Sequence, residues 1–131
     1  MDGFIDHIED ATVENANFRH VLYTGKHLQL VLVSLGRGED MGEAMREDGD
    51  QFLRIELVDG LVTIDGLETE ITDGDGIVIP AGARYNVSNS GEKPLKLQVL
   101  YAPPRYRDGH VSASREDADA LPENFDGKTT E

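Results

Sequence analysis

The side chains able to do chemistry in this chain are few, and their spacing rules out most familiar schemes. There are four histidines, His7, His20, His27 and His110, and no cysteine. Neither a thiolate metal site nor a disulfide framework is therefore available. His20 and His27 stand in strand-like sequence and would rebuild a metal site only if both pointed inward; the ordinary reading is structural or exposed. Glu43, Glu47, Asp48 and Asp50 form an acidic run, but it lacks the EF-hand spacing and reads as a solvated loop. Ser34, Ser88, Ser90, Ser112 and Ser114 have no histidine or acid beside them in a nucleophile motif, and no glycine loop cradles phosphate. Asn86-Val87-Ser88 matches a glycosylation acceptor, yet it falls in an expected core strand of a chain that opens without a signal segment.

The elements that must position any site are strands. Gly74-Asp75-Gly76 supplies a turn, since glycine takes positive φ without steric cost. Ile77, Val78 and Ile79 make a β-branched buried run, which Pro80-Ala81-Gly82 stops because proline cannot donate to a ladder. Arg84 to Ser88 then returns as a strand, with Arg84, Asn86 and Ser88 on one face and Tyr85 and Val87 on the other. Upstream, Asn17 to Thr24 and His27 to Leu35 are strands around Gly25, the second apolar on both faces apart from Gln29 and Ser34. Gln51 to Val58 and Leu61 to Ile64 are expected to form a hairpin across Asp59-Gly60. Asp65-Gly66 makes another turn before Leu67 to Ile71, and Leu95 to Tyr101 closes the series at Pro103-Pro104. Short strands with turns every eight to twelve residues indicate an all-β sandwich or barrel.

At 131 residues this is a single domain able to bury its own core. No apolar run approaches the roughly 18 residues of a membrane span, and a cytoplasmic location is expected. The net charge of −14 argues against nucleic acid and anionic membrane as partners, which would be repelled. Lysine occurs only at Lys26, Lys93, Lys96 and Lys128, with arginine twice as common. Abundant acid with little lysine is what a high-salt cytoplasm selects, so a halophilic source is expected. The sequence divides into a peripheral segment over 1–16, a β-barrel over 17–104 and an acidic tail over 105–131, expected outside the barrel and partly disordered.

The spacing of Gly74, Pro80, Gly82 and Asn89 resembles the second signature motif of the cupin family, with Tyr85 standing where that family places a metal-binding histidine. Gly38 to Gly60 resembles the first motif. Asp50-Gln51-Phe52-Leu53-Arg54-Ile55-Glu56, Leu100-Tyr101-Ala102-Pro103-Pro104 and Asp108-Gly109 resemble segments of a subgroup of small single-domain cupins, as do Phe18-Arg19 and Leu22-Tyr23-Thr24-Gly25. The resemblance covers roughly residues 17 to 112 and implies a double-stranded β-helix, the cupin or jelly-roll barrel. It also implies a homodimer, for which Phe18 to Thr24 is the expected interface or its neighbour.

The four inherited ligand positions read Ala44, Arg46, Gln51 and Tyr85. A zinc, iron or manganese ion needs imidazole, carboxylate or thiolate donors. Alanine offers none, arginine is a fixed cation, glutamine alone is a weak ligand, and tyrosine ligates only as phenolate. The metal site is expected to be lost, and no cofactor is expected. Alternation puts positions 44 and 46 on one face, so Arg46 should point where the ion would sit, near Gln51 and Tyr85. That set, with Gln29, is suited to a small anionic ligand, a carboxylate or phosphate held by the arginine fork. The bland alternative pairs Arg46 with Glu56 or Glu43, or lets it snorkel from the barrel mouth. Two functions stay open: a metal-free cupin that binds a small anion or serves as a dimeric structural module, and a metal-dependent isomerase or dioxygenase with unorthodox ligands.

Overall fold

The computed structural model describes residues 1–120 and 125–131. The elements in chain order are α1 (Ile8–Glu14), β1 (Arg19–Thr24), β2 (Gln29–Leu35), β3 (Ala44–Met45), β4 (Asp50–Leu57), β5 (Gly60–Ile64), β6 (Leu67–Ile71), β7 (Gly76–Ile79), β8 (Arg84–Ser88), β9 (Leu95–Ala102), β10 (Val111–Ser112) and α2 (Arg115–Ala120). They make an antiparallel six-stranded sheet, β10-β1-β2-β9-β4-β7, and a four-stranded sheet, β3-β8-β5-β6. This is the expected all-β jelly-roll, or double-stranded β-helix, with one core between the sheets.

Sequence pattern decides which strands lie centrally. β2 and β9 are buried on both faces and pair from Gln29 opposite Tyr101 to Leu35 opposite Leu95. One face of this pair joins the core, while α1 packs on the outer face against β9 and β4. Lys96 of β9 reaches the Asn15 carbonyl at the end of α1 and the Ser34 hydroxyl, so its buried ammonium is hydrogen-bonded. β4, β7 and β8 alternate instead. Gln51, Leu53 and Ile55, Ile77 and Ile79, and Tyr85 and Val87 are buried, while Phe52, Arg54, Val78 and Arg84 are exposed.

The expected hairpin at Asp59-Gly60 is not formed. β4 pairs with β9 and β7, whereas β5 pairs with β6 and β8, so the chain crosses from one sheet to the other here. Val58 takes the left-handed turn conformation, at φ 60°. Gly60 serves a different purpose, because a Cβ there would lie 2.6 Å from Leu95 Cδ1 and 2.7 Å from the Ser88 carbonyl. The dipeptide marks close packing rather than a strand reversal. The true two-residue hairpin is Asp65-Gly66, with φ of 47° and 84° and Ile64 opposite Leu67, joining β5 to β6.

The segment after 104 also differs from an outlying tail. β10 pairs with β1 at Arg19 and His20, and the Val21 amide donates to the His110 carbonyl. Thr130 exchanges hydrogen bonds with the backbone of Thr24. β1 is therefore covered along the edge where the sequence placed a dimer contact. Residues 121–124 of the expected tail lie outside the described residues. Among the described residues, no helix is long and apolar enough to cross a membrane.

Candidate functional site

Strand register gathers the polar side chains at one end of the interior. Tyr101 of β9 lies opposite Gln29 of β2 on one side and Gln51 of β4 on the other, and Gln51 in turn faces Ile79 of β7. Neighbouring strands are about 4.8 Å apart, so this row spans the inner face of the large sheet within roughly 15 Å. From the facing sheet, Tyr85 of β8, opposite Ala44 of β3, donates its hydroxyl to Gln51 Oε1. Gln51 and Tyr85 are both buried, at 3% and 2% exposure, so the contact satisfies an amide that would otherwise be costly.

Gln29, fully buried, uses its whole amide on structure. Its Nε2 donates to Thr24 Oγ1 (2.9 Å) and to the Tyr106 carbonyl (2.8 Å). Its Oε1 accepts from the Arg105 and Tyr106 amides at 3.1 and 3.0 Å. The chain leaving β9 is thereby folded back over the barrel end, placing the Arg105 and Tyr106 side chains inside. Arg46 supports the same turn from the other side. Its guanidinium donates to the Pro103 carbonyl (2.9 Å), lies 3.5 Å from Asp48 and sits 5.9 Å from the centre of the Tyr101 ring. Neither Glu43 nor Glu56 is its partner: Glu43 pairs with Arg84, and Glu56 with Arg54 and Gln98.

Between these groups lies a pocket of about 420 Å³. Its cationic wall is Arg19, Arg105 and Arg115, with Tyr85, Tyr101 and Tyr106 between them and Glu43 and Asp119 beside them. Arg105 lies 5.6 Å from both the Tyr101 and Tyr106 rings, and Arg19 stacks on Tyr106 at 4.2 Å. The edge-on contact of Tyr101 and Tyr106, at 5.5 Å, holds the two rings together. At the mouth, Arg115 of α2 bonds the Asp40 carboxylate (2.6 Å) and carbonyl (2.9 Å) and approaches Asp119 at 3.6 Å.

Burial and neighbouring charges shift three groups of this wall, Tyr85, Tyr101 and Arg105. Burial pushes the Tyr85 phenol above the ordinary tyrosine value, against the opposing charge of Arg105. Tyr101 is pushed well above it, again first by burial and then by Tyr106 and Tyr85. For Arg105 burial is the largest single effect and opposes the charge, but Tyr101, Tyr106 and Tyr85 together raise its pKa, so it stays protonated. His110, stacked on Tyr106 at 6.5 Å, is lowered by burial and by Arg19 and is a neutral imidazole near pH 7.

Of the residues singled out from sequence, Gln29, Gln51 and Tyr85 meet around Tyr101, and Arg46 borders them from the rim. Arg19, Arg105, Tyr106 and Arg115 were missed. A signal existed for Arg19, which shares a strand face with the buried Val21. Arg105 and Tyr106 had none, because they follow a strand-ending Pro103-Pro104 and sit 76 and 77 residues from Gln29, their anchor.

The inherited metal positions do not fit an ion. Ala44 has no donor, Arg46 carries a positive charge, and Gln51 Oε1 already accepts from Tyr85. Tyr85 is moved away from the phenolate that ligation would need. Among the described residues, no three histidine, aspartate or glutamate side chains gather as a metal cluster.

The jelly-roll architecture is one that cupins share with other double-sheet proteins, and the chain belongs to the cupin family: the cupin-domain family model matches residues 31–101. The uncharacterized protein YrkC of Bacillus subtilis is 43% identical over 88% of this chain, which spans 65% of that relative's length. The uncharacterized protein L612 of Acanthamoeba polyphaga mimivirus is 34% identical over 86% of this chain and 72% of its own. A Bacillus halodurans crystal structure superposes with a TM-score of 0.88 at 42% identity, covering 90% of this chain and 94% of that one.

Proposed function

We propose that this cupin is a binding module that takes a small anion in the end pocket without help from a transition metal. The observation that supports it is the placement of Arg19, Arg105 and Arg115 in one pocket wall of a chain whose net charge is −14. Such clustering creates a local positive potential in an otherwise repelling molecule and steers small anions to that mouth. Arginine forks bind carboxylate or phosphate oxygens in pairs. Arg46 keeps a part in this reading as the residue that holds the turn before Arg105, and Gln51 as the one that aims Tyr85.

Calorimetric titration of the purified protein with acetate and phosphate tests the reading. At least one is expected to bind, and Arg105→Ala to weaken it by about 1.5–3 kcal/mol through loss of a charge-assisted hydrogen bond. Stoichiometric zinc, iron, nickel or manganese in the protein as purified would overturn it in favour of a metal-dependent enzyme.

A further inference from the structure

Resting on the anion-binding reading, we infer that His110 makes the pocket pH-sensitive: an anion on Arg19 draws a proton onto this imidazole, and the protonated ring tightens the anion's hold. Three placements carry this. The first is a shared ring. Tyr106 and Arg19 stand together in the pocket wall, with the Arg19 guanidinium 4.2 Å from the centre of the Tyr106 ring. The His110 imidazole stacks on that same ring at 6.5 Å, with an interplanar angle of 16°. One aromatic thus brings a cation and a titratable group within range of each other's charge, at a partly buried place where salt screens little.

The second is strand register. Arg19 of β1 lies opposite Ser112 of β10, so their side chains share a face with Cβ atoms about 5 Å apart. His110 stands two residues before Ser112, and its Nε2 is bonded to the buried Ser112 hydroxyl at 2.7 Å. That bond keeps the imidazole on the Arg19 side of the sheet. A hydroxyl accepts as well as it donates, so the pair survives protonation, with Nε2 then donating to Ser112 Oγ.

The third is the set of charges around the imidazole. From β1 comes Arg19, whereas His20 lies opposite Val111 and alternation turns it to the other face. From the turn after β9 come Arg105, Tyr106, Arg107 and Asp108. Arg107 meets His110 through its carbonyl, and the Asp108 carboxylate accepts from the Thr130 hydroxyl. At the last residues, Glu131 is bonded to Tyr23. Burial first, and then the charge of Arg19, hold the imidazole below the ordinary histidine value. An anion on Arg19 offsets that charge and moves the imidazole back up. Between its value in the free protein and its value in the complex, the bound state holds more proton. By linkage, anion affinity is highest below the free value and falls as pH rises through the value in the complex.

The experiment is calorimetric titration of the whole protein with sulfate, acetate and phosphate at about pH 8 and about pH 5.5, on either side of the histidine range. The parent is compared with His110→Gln. Sulfate keeps its charge across this range, and for acetate and phosphate the comparison subtracts the anion's own titration and that of the other histidines. The gain in affinity at the lower pH is expected to be at least about threefold larger in the parent, equivalent to about half a pKa unit on His110. Melting temperatures show whether the variant is folded. NMR titration of the His110 ring in the parent, with and without saturating anion, reads the same shift with no variant and should show it upward. An equal pH response in parent and folded His110→Gln would overturn this inference while leaving the anion-binding reading standing, as would a His110 titration unmoved by the anion. No binding of any of the three at either pH would remove both.

Discussion

Gln29 and Gln51 are two buried amides in the same row of the large sheet, and they do different work. Gln51 fixes one ring, that of Tyr85, by accepting its hydroxyl proton. Gln29 holds a length of chain, making four hydrogen bonds of which three go to the backbone of Arg105 and Tyr106. Replacing it by leucine keeps the volume and strands those backbone groups in an apolar setting. A stability loss on the order of 3 kcal/mol is expected in urea denaturation, since each buried group left unpaired costs about 1–3 kcal/mol. Anion affinity should fall with it, because the turn that carries Arg105 loses its anchor. An unchanged affinity in folded Gln29→Leu would show that Arg105 is held by other means.

Among the elements, α2 is the one whose attachment can be switched. It contributes Arg115 and Asp119 to the pocket mouth, and Arg115 ties it to the loop before β3 through Asp40. Burial works against the Asp40 carboxylate as the largest single effect, yet the Gly42 amide and Arg115 outweigh it and hold the group below the ordinary aspartate value. A group with a depressed folded pKa stabilises the attached state above its unfolded value, near 4, and loses that contribution as pH falls through the folded one. Hydrogen exchange at the Ala118 amide, bonded to the Ser114 carbonyl, should therefore speed up relative to the core strands below about pH 4. In Asp40→Asn the exchange should already be fast at neutral pH and lose that acid step. The Asp40 side chain is partly solvated, so the effect is local and small against global stability.

At the scale of the whole molecule, the sheets end in edges that the chain covers unequally. β10 and the last residues close one side of the large sheet over β1, and β6 carries Glu68 and Glu70, which blunt its edge. β7 is left open, with Val78 exposed at 65% beside Phe52 at 40% on the neighbouring strand. We propose that a second copy covers β7 in a homodimer, an edge different from the Phe18 to Thr24 segment singled out from the sequence. Light scattering at high salt should give twice the chain mass, and Val78→Glu should lower it towards one. High salt is required because a net charge of −14 on each copy opposes association when unscreened. A single-chain mass for the parent under those conditions would refute the dimer.

By itself the sequence determined the main strands, the jelly-roll class, the turn at Asp65-Gly66, and the nearness of Gln51 to Tyr85. These follow from short-range rules: period-two burial, the φ preferences of glycine and aspartate, and the motif spacing that marks the cupin family. Asp59-Gly60 misled because a glycine needed for flexibility and one needed for closeness look alike in sequence, and only packing against Leu95 and Ser88 tells them apart. The shared wall of the pocket's cations was also out of reach. Arg19, Arg105 and Arg115 come from β1, a turn and α2, and no local periodicity relates them. Tertiary structure decided that they share a wall, because the register of β2, β9 and β4 sets where Gln29 lies, and Gln29 decides where the chain after β9 must return.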